Sequence, residues 1–211
     1  YHNQYTAIGI LQSIASSDKV QPPWYHKVRR IRQTMIPQNE GTSPGSPPLD
    51  AVLQTLLAGR MGTPQLMPTG SNYTFLVSIY KESGEERLAV YKPQRGEAPL
   101  WDFPDGTLYQ REYASYLVSQ ALGWGFVPPT AIREGPHGIG TVQIYIEPKE
   151  NSHYFTLRES HPRECQRIAV FDCLVNNADR KASHCFEDKD GKVWSVDHGL
   201  TFHTDYKLRT V

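Results

Sequence analysis

Long apolar runs are absent from this chain. None approaches the roughly 18 residues of a helical membrane span, and no secretory leader pattern is visible. Cysteine is scarce: Cys165, Cys173 and Cys185 are odd in number and lack C-x-x-C spacing. That predicts reduced thiols in a cytoplasm rather than a disulfide framework or a zinc site. Neither sign of charge dominates, with 22 Lys plus Arg against 22 Asp plus Glu. A balanced surface argues against a general nucleic-acid partner or an anionic membrane face. A compact cytoplasmic enzyme fits these absences, and 211 residues suffice for one two-lobed unit with a real core.

Residues 1–48 differ from the rest. They hold the basic run HKVRRIR at 26–32 and a linker rich in Gly, Ser and Pro, QNEGTSPGSPP. Such composition predicts a flexible arm, and its basic run reads as a solvated face. From Leu49 to Met61, Leu49, Val52, Leu53, Leu56 and Leu57 recur at helical spacing. The expected organisation is an arm over 1–48, a first lobe over 49–147 and a partial second lobe over 148–211.

The segment from Phe171 to Leu200, FDCLVNNADRKASHCFEDKDGKVWSVDHGL, carries the densest chemistry. Asp190-Gly191 lies between two short apolar runs and signals a hairpin. Centred near Lys189-Asp190, it would set His184 opposite Ser195 and Asp197 opposite Ala182. Asp179, His184 and Asp197 would then share one rim. One carboxylate orienting a hydroxyl and two ligands for a divalent ion suit phosphoryl transfer. Asp residues beside turns also cap backbone N–H groups, so the pattern needs a nucleotide-binding half to support it.

That half precedes it. Gly70-Ser71-Asn72 leads into a strand pattern in which Tyr73, Phe75, Val77 and Ile79 alternate. After the turn KESGEE, Lys92 lies in phase with Leu88 and Val90, and its side chain is expected on the apolar face. A lysine there needs an anion. On the following helix, Leu108 to Leu122, Glu112 falls inside the apolar stripe and supplies one. A strand lysine paired with a helix glutamate is the arrangement that positions the phosphates in kinases. A structural salt bridge, or a lysine reaching for the surface, is the simpler alternative. Strands are expected over Val127–Arg133 and Gly140–Glu147. A helix is expected to open at Ser160-His161-Pro162, with a cap and an early Pro, and to run to Asn176-Asn177. The aromatics of WDFPDG, Trp101 and Phe103, are expected to pack on the Glu112 helix.

With GSNYTFLV, VYKP, QREYASYLV, VPPT, TVQIYIE, NNADRK and VDHGL in view, the chain resembles the phosphatidylinositol 3-/4-kinase-like branch of the kinase superfamily. It is most similar to type II phosphatidylinositol 4-kinases and to a bacterial family described as phosphatidylinositol-kinase-like. The resemblance runs from about Leu49 onward. It implies an α+β, two-lobed, protein-kinase-like fold with a small or truncated C-lobe, since only 14 residues follow Asp197. It also implies ATP with Mg²⁺ or Mn²⁺. Lys92 would contact the phosphates and pair with Glu112, while Gly70, Ser71 and Asn72 would cover them. Ile146 and Glu147 would lie beside the adenine. Asp179 would be the catalytic carboxylate, and His184 and Asp197 the metal ligands.

Two departures separate the chain from that family. His184 stands where the lipid kinases carry Asn, and histidine is a softer ligand than magnesium prefers. The loop PQRGEAPLWDFPDG lacks the cysteines that are lipidated in type II lipid kinases, which weakens a membrane-lipid role. The expected activity is transfer of a γ-phosphate to a hydroxyl on a protein or small molecule rather than on a phosphoinositide. The alternative is a nucleotide-binding pseudokinase acting as a scaffold.

Overall fold

In a computed structural model that describes residues 49–210 except residue 69, the apolar stripe at the start becomes helix α1 (Leu49–Ala58). The expected arm and its basic run lie outside the described residues. Two short strands, β1 (Arg60–Met61) and β2 (Gln65–Leu66), follow. The alternating segment forms β3 (Phe75–Tyr80), paired antiparallel with β4 (Glu86–Pro93). Helix α2 (Leu108–Ala121) then leads to the hairpin of β5 (Thr130–Gly135) and β6 (Gly138–Ile144). The result is a six-stranded antiparallel sheet in the order β1-β3-β4-β6-β5, with β2 also on β3. Beyond it come α3 (Tyr154–Ser160), α4 (Pro162–Val175) and a hairpin of β7 (Cys185–Glu187) and β8 (Val193–Ser195). The expected α+β class is what the chain adopts.

Two apolar cores result. One is filled by Leu56 of α1 with Val77, Ile79, Ala89, Tyr91 and Val142 of the sheet. The other gathers Ala114, Tyr116 and Val118 of α2 around Phe171 and Val175 of α4, with Phe126 and Leu157. Helix α2 therefore gives its apolar back to the helical half and turns Glu112 towards the sheet. Arg111, fully buried, locks it there: Nη1 donates to the carbonyls of Thr201 and Phe202 at 2.9 and 3.0 Å.

Several local expectations need correction. Lys92 is in phase with Leu88 and Val90, but that is not the core face of β4. Ala89 and Tyr91 are buried while Leu88 is 43% exposed, so Lys92 points away from the first core. Trp101 is 90% exposed and does not pack on α2. It has Lys207 over its ring, 4.8 Å from the centroid. Phe103 alone is buried, beneath the Arg111 guanidinium. The helix expected from Ser160 is two helices. Ser160 closes α3, and His161 precedes α4 without a side-chain cap, Pro162 filling its first turn.

The β7–β8 register is shifted by one residue from the expected pairing. Cys185 faces Ser195, and His184 lies level with Val196, whose amide donates to the His184 carbonyl at 2.9 Å. The cause is a three-residue loop in place of a two-residue Asp-Gly turn. Asp188 N–H donates to Lys192 O, its carboxylate accepts from the amides of Asp190 and Lys192, and Gly191 takes φ +83°. A left-handed residue closing a longer hairpin loop is favoured as glycine.

Candidate active site

A cleft of about 570 Å³ lies between the sheet and the helical half. Strand β4 delivers Lys92 into it and α2 delivers Glu112. Lys92 Nζ stands 3.0 Å from Glu112 Oε2 and 3.0 Å from Asp197 Oδ1. Glu112 is buried, and its Oε2 also accepts from the backbone N–H of His198 at 3.1 Å. Burial opposes the charge on Lys92, but the carboxylates of Asp197 and Glu112 outweigh it and hold the ammonium well above its ordinary pKa. The same ammonium is the main cause that keeps Asp197 far below the usual carboxylate range. A charged lysine bridging the carboxyl groups of Glu112 and Asp197 is the state this geometry fixes.

Asp197 takes a left-handed backbone, φ +60°, which non-glycine residues seldom adopt. The surrounding contacts impose it. Just before it, Val196 is held by His184 and by Arg180; just after it, the His198 amide is held by Glu112. Asp197 Oδ2 lies 3.3 Å from His184 Nε2. Burial lowers the pKa of His184, and Arg180 and Lys181 lower it further against the opposing pull of Asp197, so the ring is neutral near pH 7.

Asp179 lines the same cleft from the loop after α4. Asn177 shapes that loop: Oδ1 accepts from the Asp179 amide at 3.0 Å, and Nδ2 donates to Asp172 Oδ1 at 2.9 Å. Arg180 braces it. Its Nε and Nη2 donate to the two Asp172 oxygens, each at 2.8 Å, and Nη1 donates to Val196 O at 3.0 Å. Arg180 Nη2 also lies 2.9 Å from His198 Nε2, which must therefore be the unprotonated nitrogen. Burial, reinforced by the Arg180 charge, pushes His198 well below its ordinary pKa.

The cleft thus brings Lys92, Glu112, Asp179, His184 and Asp197 together, with Gly70, Ser71, Asn72 and Ile146 on its walls. Glu147 is exposed and is not among the lining residues. Asn72 also has a structural contact: its Oδ1 accepts from the Ala98 amide at 2.8 Å and ties the 70–72 loop to the next one. The sequence reading missed Glu97, whose carboxylate accepts from the amides of Leu108 and Tyr109 and so caps α2 from a distance. It also missed the bracing roles of Arg180, Asp172 and His198. Those contacts join positions 8 to 18 residues apart and leave no local pattern. Lys181 had no assigned role, yet its Nζ is 2.8 Å from Asp179 Oδ2.

A divalent ion has a partial fit here. No group of three His, Cys, Asp or Glu able to hold a metal occurs among the described residues. His184 Nε2 and Asp197 Oδ2, at 3.3 Å, have about the spacing of two neighbouring ligands on one ion, roughly 3 Å for bonds near 2.1 Å. That suits an ion completed by phosphate oxygens and water, and not a closed protein cage.

No family model matches the chain. Over 179 residues it is 42% identical to Protein Rv2133c of Mycobacterium tuberculosis, an alignment covering 68% of this chain and 64% of that protein. It is 26% identical to phosphatidylinositol 4-kinase gamma 2 of Arabidopsis thaliana, covering 86% of this chain and 39% of the relative. Phosphatidylinositol 4-kinase gamma 4 of Oryza sativa is also 26% identical, with 56% and 27% covered. The chain is therefore distantly similar to plant gamma phosphatidylinositol 4-kinases, of the phosphatidylinositol 3-/4-kinase-like type. To the mycobacterial protein it is more closely similar. It spans less than two thirds of the length of each of these relatives. The crystal structure of the Golgi casein kinase aligns with 96% of this chain and 72% of its own, at 15% identity and a TM-score of 0.48. No helix among the described residues is long and apolar enough to cross a membrane.

Proposed function

We propose that the chain is the nucleotide-binding and catalytic part of an ATP-dependent kinase that transfers the γ-phosphate to a hydroxyl. Residues 49–147 would form its nucleotide half and 148–211 the half bearing the catalytic and metal-binding loops. The observation that carries this reading is the Lys92 bridge between Glu112 and Asp197 inside the cleft that Asp179 also lines. Lys92 offers a permanent positive charge where phosphate oxygens would lie, and Glu112 fixes its direction. Asp179 would accept the proton of an attacking hydroxyl as the new P–O bond forms and the bond to the ADP oxygen breaks. His184 and Asp197 would hold a divalent ion, which when bound supplies charge neutralisation at the phosphates. The gamma phosphatidylinositol 4-kinases are named for a lipid acceptor. For the present chain we favour a protein or small-molecule hydroxyl, the loop at 93–106 carrying no cysteine for lipidation.

One observation favours a second reading, a nucleotide-binding scaffold without turnover. His184 contacts Asp197 directly, a neutral imidazole in place of the oxygen ligand that magnesium prefers. ATP turnover in a Mg²⁺ and Mn²⁺ series separates the two. Asp179→Asn should abolish phosphotransfer and leave ATP affinity within about threefold, because Asp179 faces the acceptor and not the nucleotide. A folded Asp179→Asn variant that no longer binds ATP would overturn the catalytic role. Native chain that binds ATP with either metal, yet never releases ADP to any acceptor, would leave the scaffold.

A further inference from the structure

Gln143 lies in the middle of β6, opposite Val90 on one neighbouring strand and Thr130 on the other. It is 5% exposed, and the little surface it keeps belongs to the cleft wall. Its Nε2 donates to Thr130 Oγ1 at 2.8 Å, and the Thr130 hydroxyl donates to Pro128 O at 2.8 Å. A hydroxyl has one proton. With that proton on the Pro128 carbonyl, the Thr130 oxygen can only accept, and only the amide NH₂ of Gln143 can serve it. Rotating the amide by half a turn would set two oxygens at 2.8 Å with one proton too few. The chain from Gln143 to Thr130 to Pro128 therefore fixes the orientation and leaves Oε1 as an acceptor without a partner among the described residues.

Position gives that acceptor a meaning. Val90 and Lys92 lie on one face of β4, about 7 Å apart along the strand. Thr141 pairs with Lys92 and Gln143 with Val90, so the ladder has a Lys92 end and a Gln143 end. The backbone beyond Ile144 rims the cleft at Tyr145 and Ile146, so a nucleotide with its phosphates at Lys92 has room for its base at the Gln143 end. We propose that Gln143 reads the base. Its fixed Oε1 accepts a hydrogen bond from the exocyclic amine at C6 of adenine and opposes a purine with an oxo group there. This rests on the nucleotide site proposed above, and it assigns base choice to a side chain whose polarity is set two residues away from the ligand.

The test is equilibrium binding of three probes to the full chain: ATP, purine riboside 5′-triphosphate with hydrogen at C6, and inosine 5′-triphosphate with oxygen there. For the native chain ATP should bind about three- to tenfold tighter than purine riboside triphosphate, as one hydrogen bond is worth, and inosine triphosphate should be weaker again. Gln143→Met keeps the length and removes the acceptor, and the ATP preference should shrink by about the same factor. Thr130→Val keeps Gln143 but frees its amide to rotate, and should erode the preference in the same direction; it serves if the buried Met variant does not fold. A preference unchanged in a folded variant that still binds ATP would overturn the assignment to Gln143 and leave the nucleotide site standing. If none of the three probes binds the native chain, the nucleotide site itself fails and the base-reading role fails with it.

Discussion

Lys92 is held by two carboxylates that approach from different parts of the chain, 20 and 105 residues away. Glu112 is buried, and Lys92 and the His198 amide are the partners of its Oε2. Removing either partner leaves the other group misplaced, and their losses should not add. Lys92→Met and Glu112→Ala should each weaken ATP binding, with the double variant little worse than Lys92→Met alone. Calorimetric affinities in a double-mutant cycle should give a coupling of about 0.5–3 kcal/mol. A coupling near zero would mean that the pair does not act as a unit on the nucleotide. Pairing of a strand lysine with a helix glutamate was legible because each lay in phase with apolar neighbours. The face was not: β4 buries the alternate set, and only the placement of α1 and α2 on opposite sides of the sheet decides which set is core.

At the level of the element, the loop between α4 and β7 is braced by Arg180, which bonds Asp172, Val196 and His198 at once. Both members of the Asp172–Arg180 pair are buried, with side-chain exposures of 0% and 1%. Breaking a buried pair from one side strands a charge and costs about 3–5 kcal/mol. Asp172→Asn should therefore lower the unfolding free energy by about that amount in urea titrations, and Arg180→Lys, which cannot make the two-point contact, should also destabilise. A loss under about 1 kcal/mol would show that the pair is screened by water, as exposed pairs are. The sequence displayed Asp179-Arg180 as a motif, but gave Arg180 no partner, because Asp172 sits on the preceding helix and His198 on the far side of a hairpin. The hairpin itself was visible as Asp-Gly between apolar runs. Its register was not, since Asp188 recruits two loop amides and enlarges the turn by one residue.

Across the whole molecule, two histidines are held neutral, His198 fully buried and His184 half-buried in the cleft wall. His198 lies well below its ordinary pKa of 6.5 and His184 is lowered as well. The sign follows from linkage: below 6.5 the unfolded chain binds protons that the folded chain refuses, so the unfolded state gains. Stability is present above that value and is lost as pH falls towards the depressed folded values, with a slope of up to about 1.4 kcal/mol per pH unit for each histidine. Asp197, also depressed, starts to contribute a loss only near its unfolded value of 3.8, below this window. Unfolding free energies at pH 7, 6 and 5 should therefore fall steadily, and His198→Gln should flatten the slope. Equal slopes for the two proteins would show that His198 is protonated in the folded state.

Sequence by itself determined the α+β class, the apolar periodicity of α1, β3 and α2, and the residue types gathered for phosphate chemistry. These follow from local spacing, because a strand repeats every two residues and a helix every 3.6. Tertiary structure decided which face of β4 is open, the one-residue register of β7 and β8, the exposure of Trp101, and the braces formed by Glu97, Arg111 and Arg180. Each depends on a partner many residues away that no local period encodes. The orientation of the Gln143 amide is of the same kind, since it is set by a hydroxyl on the neighbouring strand.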